Sequence, residues 1–276
     1  MNLKEKNQGN CFNIKRITDD QWVDAEDQLA VEEPLEIQLS YGAEEKTQAS
    51  ISVTMRTPGQ DEELAVGFLF TEGVIQHSDQ IKSVRALDEN KLLIALHDHV
   101  KPSLQKTERN FYTTSSCGVC GKSSIDAIHA VSFYQNVSDN IFLESKIFYS
   151  LEEKVRKHQS LFESTGGLHA SALFDLHGNF IMLREDVGRH NALDKVIGAA
   201  LMNKQLPLIN TILLLSGRVS FELIQKASMA GIKIVSAIGA PSSLAVELAT
   251  ELDMTLIGFL RNQRFNIYCG SMRILN

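Results

Sequence analysis

The chain has little of several things, and each shortage removes a class of protein. Four cysteines occur in 276 residues, with Cys11 and Cys269 near opposite ends, so the sequence carries no disulfide framework. Free thiols in a reducing compartment are the expectation. There is no basic excess either: the formal charge is −7, which argues against a general nucleic-acid binder. A local basic groove for one anionic ligand stays open, and phosphate ligands with it. No run approaches the roughly eighteen apolar residues a membrane span needs, and the start, Met1 to Asn13, is polar and charged. A cytoplasmic protein without membrane or nucleic-acid partners is expected. What the chain does have is 43% hydrophobic content, enough for one large or two modest domains.

Read in order, Ile14 to Arg56 is strand-like: Pro34 to Leu39 and Ser50 to Met55 alternate polar and apolar around a Tyr41-Gly42 turn, which predicts a half-buried antiparallel layer. After Thr57-Pro58-Gly59, Asp61 is placed to cap a helix with Glu62 and Glu63 in its first turn, Leu64, Ala65, Phe68 and Leu69 on its apolar face and Gly73 at its end. Two short strands near Ile81 to Leu87 and Lys91 to Leu96 follow, then a polar linker. The second half changes rhythm. A hairpin over Ala170 to Arg184 turns at His177-Gly178-Asn179. Helices over Asn191 to Leu201, Val219 to Ala230 and Ser242 to Leu252 then alternate with apolar strands at Thr211 to Leu215, Ile232 to Ala237 and Met254 to Leu260. Such alternation predicts a parallel sheet covered on both faces. Three units follow from this reading: a β-rich N-terminal domain over 1–110, a cysteine-bearing loop and linker over 111–145, and an α/β domain over 146–276.

Ligands of an open parallel sheet bind beyond the carboxyl ends of its strands. Arg184 to His190, Ser216-Gly217-Arg218 and Gly239 to Ser243 each leave a predicted strand with glycine, hydroxyl or guanidinium groups before a helix. The last strand runs into Gly258-Phe259-Leu260-Arg261-Asn262-Gln263-Arg264, where two arginines suit a diphosphate, Phe259 suits a ring, and Asn262 and Gln263 suit a base edge. His169, His190, Glu185, Asp186 and Asp194 are of the right types for acid/base work, but spacing gives none of them a fixed partner.

The stretch Thr113 to Lys122 holds Cys117 and Cys120 among glycines and hydroxyl side chains, a setting a packed core does not require. The pair can supply half a zinc site, cycle as a dithiol, or carry a transferable sulfur. A zinc site needs more ligands than the two present, though His129 and His169 keep it open. A thioredoxin-like pair opens a helix after a strand, whereas a polar linker precedes this one. Gly121-Lys122-Ser123 ends like a phosphate loop but lacks its first glycine, since Ser116 stands there.

Taken together, "TTSSCGVCGKSS", "GGLHASAL", "REDVGRHNALDKVIG", "LLLSGRVSFELIQKA", "GAPSSLAVELA" and "TLIGFLR" followed by "FNIY" closely resemble the FdhD family, sulfur carriers required for formate dehydrogenase activity. The resemblance runs from about Glu33 onward. It implies a cytidine-deaminase-like three-layer α/β sandwich with a smaller, mostly β N-terminal domain, and a homodimer. It implies a sulfurtransferase with Cys117 as the persulfide cysteine and Cys120 as the accompanying thiol. A cysteine desulfurase would be the donor, and the molybdenum bis(molybdopterin guanine dinucleotide) cofactor, destined for the formate dehydrogenase catalytic subunit, the recipient. The guanine dinucleotide would be met by Phe259, Leu260, Arg261, Asn262, Gln263 and Arg264, with GDP as a surrogate ligand. A chaperone that only holds the cofactor, and a zinc-dependent deaminase-like hydrolase, are the alternatives. The helix starts at Gly188 to Asn191 and Val219 to Glu222 lack the cysteine pair a zinc deaminase places there.

Overall fold

The computed structural model describes residues 8–104, 134 and 139–276. It opens on a hairpin in which β1 (Gly9–Thr18) pairs antiparallel with β2 (Gln21–Ala30), where the sequence reading had only a strand-like pattern from Ile14 on. Asp19 and Asp20, at φ 48° and 62°, make the left-handed turn whose twist suits a two-residue hairpin.

A four-stranded sheet follows, built from β3 (Glu33–Tyr41), β4 (Thr47–Arg56), β5 (Ile81–Asp88) and β6 (Lys91–Leu96) in the order β4-β3-β6-β5. Leu35, Ile37 and Leu39 turn inward as the alternation predicts. The layer is not purely antiparallel, because its central pair, β3 and β6, is parallel. The chain makes a crossover through α1 (Asp61–Thr71) between β4 and β5, and a crossover returns a strand in the same direction. Asp61 does not cap α1. Gln60 occupies the N-cap at φ 52°, while the Asp61 carboxylate accepts two bonds from the buried Arg56 guanidinium at 3.0 and 3.1 Å. A bidentate charged pair outcompetes a single backbone N–H.

Beyond residue 139 come β7 (Leu143–Glu144), a 3-10 turn over Ser145–Ser150, α2 (Leu151–Arg156) and α3 (Ser160–Thr165). The large sheet then takes β8 (His169–Asp175), β9 (Phe180–Asp186), β10 (Thr211–Leu215), β11 (Ile234–Ala237), β12 (Thr255–Arg261) and β13 (Arg264–Cys269). Its helices are α4 (Arg189–Met202), α5 (Phe221–Met229) and α6 (Ser243–Glu251), and a last strand, β14 (Ile274–Leu275), pairs with β7. The sheet order is β13-β12-β11-β10-β8-β9. The predicted parallel sheet is thus a mixed one: β10, β11 and β12 are parallel, and β8, β9 and β13 run antiparallel to their neighbours. Short turns at His177 to Asn179 and Asn262-Gln263 leave no room for a crossover helix.

Each face of this sheet buries alternate residues of one strand. Leu213 and Leu215 join a core with α4, α5, α6, α1 and the four-stranded sheet, so one apolar cluster runs from Leu35 to Leu256. Ile212 and Leu214 point the other way, against Phe148, Leu151 and Val155. The first core closes where α1 crosses α4 at Gly67 and Gly198. A Cβ on Gly67 would fall on the Asp194 carbonyl, and one on Gly198 on the Glu63 carbonyl, so the two backbones touch. Beside the crossing, Lys226 of α5 donates to Asp194 at 2.9 and 3.0 Å, to Thr71 at 2.9 Å and to Glu72 at 3.3 Å. Its charge is held: burial alone would lower the Lys226 pKa, but Asp194 and Glu72 raise it overall.

Candidate functional site

The carboxyl ends of the three parallel strands lie at one level, since Leu215 pairs with Ala237 and Ser236 with Ile257. The turns beyond them are stitched together. Ile238 donates to the Leu215 carbonyl and Gly239 to that of Gly217, while Phe259 N–H donates to Gly239. A side chain does not fit at Gly239, where a Cβ would lie 2.7 Å from the Gly217 carbonyl oxygen, and at Gly217 a Cβ would lie 3.1 Å from His169 Nδ1, so that the imidazole would have to give way. Gly239 is required by close approach, and the result is a continuous edge of turns and helix starts.

The motif Phe259 to Arg264 sits on this edge as a bulged hairpin. The register between β12 and β13 slips between Gly258 and Arg261, and Phe259 takes φ 55°. Asn262 and Gln263, at φ 51° and 59°, form the turn, so the chain continues into β13 where the sequence reading had the last strand end. Arg261 and Arg264 face each other across the register, exposed, and Phe259 is 36% exposed. Leu260 is different in kind: it is buried and its side chain belongs to the second core. Cys117 and Cys120 lie outside the described residues.

Three carboxylates singled out from sequence are structural. Asp186 is fully buried and accepts from Lys195 at 2.8 Å, Asn191 at 3.0 Å, Gly188 N–H at 2.8 Å and Thr57 N–H at 3.2 Å. It thereby fixes the strand-to-helix turn that opens α4 against the end of β4. Asp194 holds Lys226. Glu185 accepts the Leu161 and Phe162 N–H groups at the start of α3, and burial pushes its pKa up despite those bonds.

The histidines do better. His190 Nε2 lies 3.2 Å from Ser220 Oγ and 3.9 Å from a Glu222 carboxylate oxygen, bringing the starts of α4 and α5 together. For Glu222, burial acts upward, but the Ser220 hydroxyl, its own backbone N–H, His190 and Arg189 bring the pKa below the ordinary value, so it is ionised near neutrality. His169 starts β8 over the Gly217 turn; burial and the Arg189 charge hold its pKa down against the opposing pull of Asp186. Arg189, in the Arg184–His190 stretch the sequence reading placed at the edge, opens α4 after β9, and Ser220 precedes α5 after β10. Among the described residues no group of three or more His, Cys, Asp or Glu side chains is placed to hold a metal ion.

A parallel strand set ending in close glycine turns, with arginine, histidine and hydroxyl groups along it and an exposed aromatic at one end, defines a mixed α/β protein with an edge suited to an anionic ligand. The chain belongs to the FdhD/NarQ family, whose model matches residues 30–275. It is 47% identical over 271 residues to the "Sulfur carrier protein FdhD" of Mycolicibacterium paratuberculosis, covering 95% of this chain and 97% of that one. It is 38% identical to the protein of that name from Saccharolobus solfataricus, again over 95% of this chain and 97% of the other. A crystal structure of a protein assigned as a formate dehydrogenase accessory protein from Desulfotalea psychrophila superimposes with a TM-score of 0.74 at 22% identity, covering 98% of this chain and 100% of that one. That similarity supports the fold. No helix among the described residues is long and apolar enough to cross a membrane.

Proposed function

We propose that the chain is a sulfur carrier that receives persulfide sulfur on Cys117 from a cysteine desulfurase. It passes that sulfur to the molybdenum bis(molybdopterin guanine dinucleotide) cofactor of a formate dehydrogenase. The supporting observation is the exposed Phe259–Arg264 hairpin, an aromatic and two arginines on the carboxyl edge of the parallel strands, in a chain whose relatives at 38–47% identity are named sulfur carriers. On this reading Phe259 packs the guanine, Asn262 and Gln263 meet its edge, and Arg261 and Arg264 meet phosphate oxygens. The cofactor is the cargo of the reaction and the scaffold is of the cytidine-deaminase type, working as a cytoplasmic homodimer without deaminase chemistry.

Loading is a thiol–persulfide exchange. The Cys117 thiolate attacks the terminal sulfur of the donor persulfide, the donor S–S bond breaks, and the donor cysteine leaves as thiolate. Release as sulfide needs two electrons, and Cys120 is placed in sequence to supply them. Its thiolate attacks Cys117 Sγ, closes a Cys117–Cys120 disulfide and expels the terminal sulfur, which takes up the proton Cys120 lost. The test is intact-protein mass spectrometry after incubation with a desulfurase and cysteine. A gain of one sulfur that Cys117→Ala abolishes is expected. An unchanged adduct on Cys117→Ala, or none on the parent chain, would remove the assignment.

A further inference from the structure

The hairpin β1–β2 takes no part in the sulfur relay, and it ends at Ala30, where the matched family unit begins. It is tied down at its base, where Gln8 Nε2 donates to the Pro58 carbonyl and Val31 N–H to the Gln8 carbonyl, and α3 lies against β2. β1 is the outlying strand: among the described residues its sheet has no third member. A two-stranded ribbon is marginal in water. The edge of β1 is also unguarded. It holds no proline, and its register with β2 runs unbroken from Gly9 to Thr18, whereas the pairs β3–β4, β5–β6, β8–β9 and β12–β13 all carry shifts. Free edges are normally blunted by prolines, bulges or inward charge, so a long straight one points to pairing. The register also puts Phe12, Ile14, Val23 and Leu29 on one face, where Phe12, Val23 and Leu29 are 48%, 56% and 43% exposed.

We propose that β1 pairs antiparallel with β1 of a second copy of this chain about a two-fold axis at Asn13, joining the two hairpins into one four-stranded sheet. The pattern of β1 is self-complementary, and that of β2 is not. β2 carries Asp24, Glu26 and Asp27, which would meet their own images across an edge, while the charges of β1 are confined to Lys15 and Arg16 near its end. Directly opposed residues must share a face, so the axis passes beside a residue and never between two. An axis at Lys15 sets two ammonium groups against each other, and one at Ile14 sets Phe12 against Arg16. At Asn13, Phe12 of each copy meets Ile14 of the other, Lys15 meets Cys11, and residues 9–17 stay paired. Apolar side chains then meet twice and no like charges meet. The stripe of Phe12, Ile14, Val23 and Leu29 continues across both hairpins, and the contact is isologous and closed. The inference rests on the homodimer of the proposed function and assigns the surface that forms it.

The experiment is cysteine cross-linking on the full chain carrying Cys11→Ser, Cys117→Ser and Cys120→Ser, with Asn13→Cys or Lys15→Cys added singly. Each is oxidised with copper phenanthroline and run on a non-reducing gel. Directly opposed residues of an antiparallel pair bring their Cα atoms to about 4.5–5.5 Å, within disulfide range. Asn13→Cys is therefore expected to give a covalent dimer. Lys15→Cys lies opposite residue 11 of the other copy, away from its own image, and is expected to cross-link about tenfold more slowly. Sedimentation equilibrium gives the dissociation constant of the parent dimer, which Phe12→Asp should raise about tenfold through the loss of two symmetry-related pairs with Ile14. Circular dichroism checks that each variant is folded, and Phe12→Asp carries the test if Asn13→Cys is not. A dimeric parent with Asn13→Cys cross-linking no faster than Lys15→Cys, or with an unchanged dissociation constant in Phe12→Asp, overturns the arm and leaves the homodimer standing. A monomeric parent overturns both.

Discussion

Replacing Gly67 with alanine tests the crossing on which the edge depends. In an exposed helix the change would stabilise by about 0.5–1 kcal/mol, because alanine loses less backbone entropy. Here the new Cβ would land on the Asp194 carbonyl oxygen and lie 2.7 Å from its carbon and 2.9 Å from Gly198 N. Those are backbone atoms of a packed helix and cannot rotate away, so α1 and α4 must separate. Overpacking of this kind costs about 1–3 kcal/mol, and a backbone collision belongs at the upper end. Subtracting the propensity gain leaves a net loss of about 2 kcal/mol, or roughly 4–8 °C in Tm for a chain of this size. Gly198→Ala meets the Glu63 carbonyl in the same way. Because one opening accommodates both methyl groups, the double variant should lose less than the sum of the singles. The assay is thermal unfolding followed by circular dichroism. A Tm for Gly67→Ala equal to or above that of the parent would show that the helices do not touch backbone to backbone, and the account of the crossing would fail.

Lys226→Met should destabilise by about 3–5 kcal/mol by urea denaturation, since Asp194 is left buried and unpaired, whereas Lys226→Met combined with Asp194→Leu should recover most of that loss. Charge reversal at Arg261 or Arg264 should leave the unfolding free energy within about 0.5 kcal/mol of the parent, as both are exposed, while weakening GDP binding by roughly 1.5–3 kcal/mol per charged bond lost. The Arg273 guanidinium bonds Asp139 at 2.9 Å twice and holds its pKa below the ordinary carboxylate value, despite burial. A folded pKa below the unfolded one gives stability that is present above the unfolded value and lost as pH falls through the folded one. Arg273→Gln should therefore lower Tm near neutrality and flatten its fall below about pH 4, measured against the parent.

Much of the fold is written in local pattern. The strand Thr211–Leu215 matches its apolar run residue for residue, and the helices that became α4, α5 and α6 follow from 3.6-residue periodicity stopped at positions such as Gly231. Strand direction was not legible, because alternation tells which face is buried and says nothing of whether the partner runs the same way. That is why β3–β6 came out parallel and β8, β9 and β13 antiparallel. The pairing of β1 with β2, though not the strand character from Ile14 on, escaped because their side chains are mostly exposed and impose no burial pattern.

For the site, the sequence by itself determined the chemistry on offer: a close cysteine pair, a hairpin with two arginines and a phenylalanine, and glycine turns after apolar strands. Those are composition and spacing, which a chain carries without folding. Only the tertiary structure decided which polar groups are tied into the frame. Asp186, Glu185 and Asp194 looked catalytic by type, but each is placed against a cation or free N–H groups contributed from elsewhere in the chain. His190 and Ser220 come together because α4 and α5 start on one sheet edge, although 30 residues separate them in the chain. Proximity across that separation is a property of the packed sheet, and no local pattern encodes it.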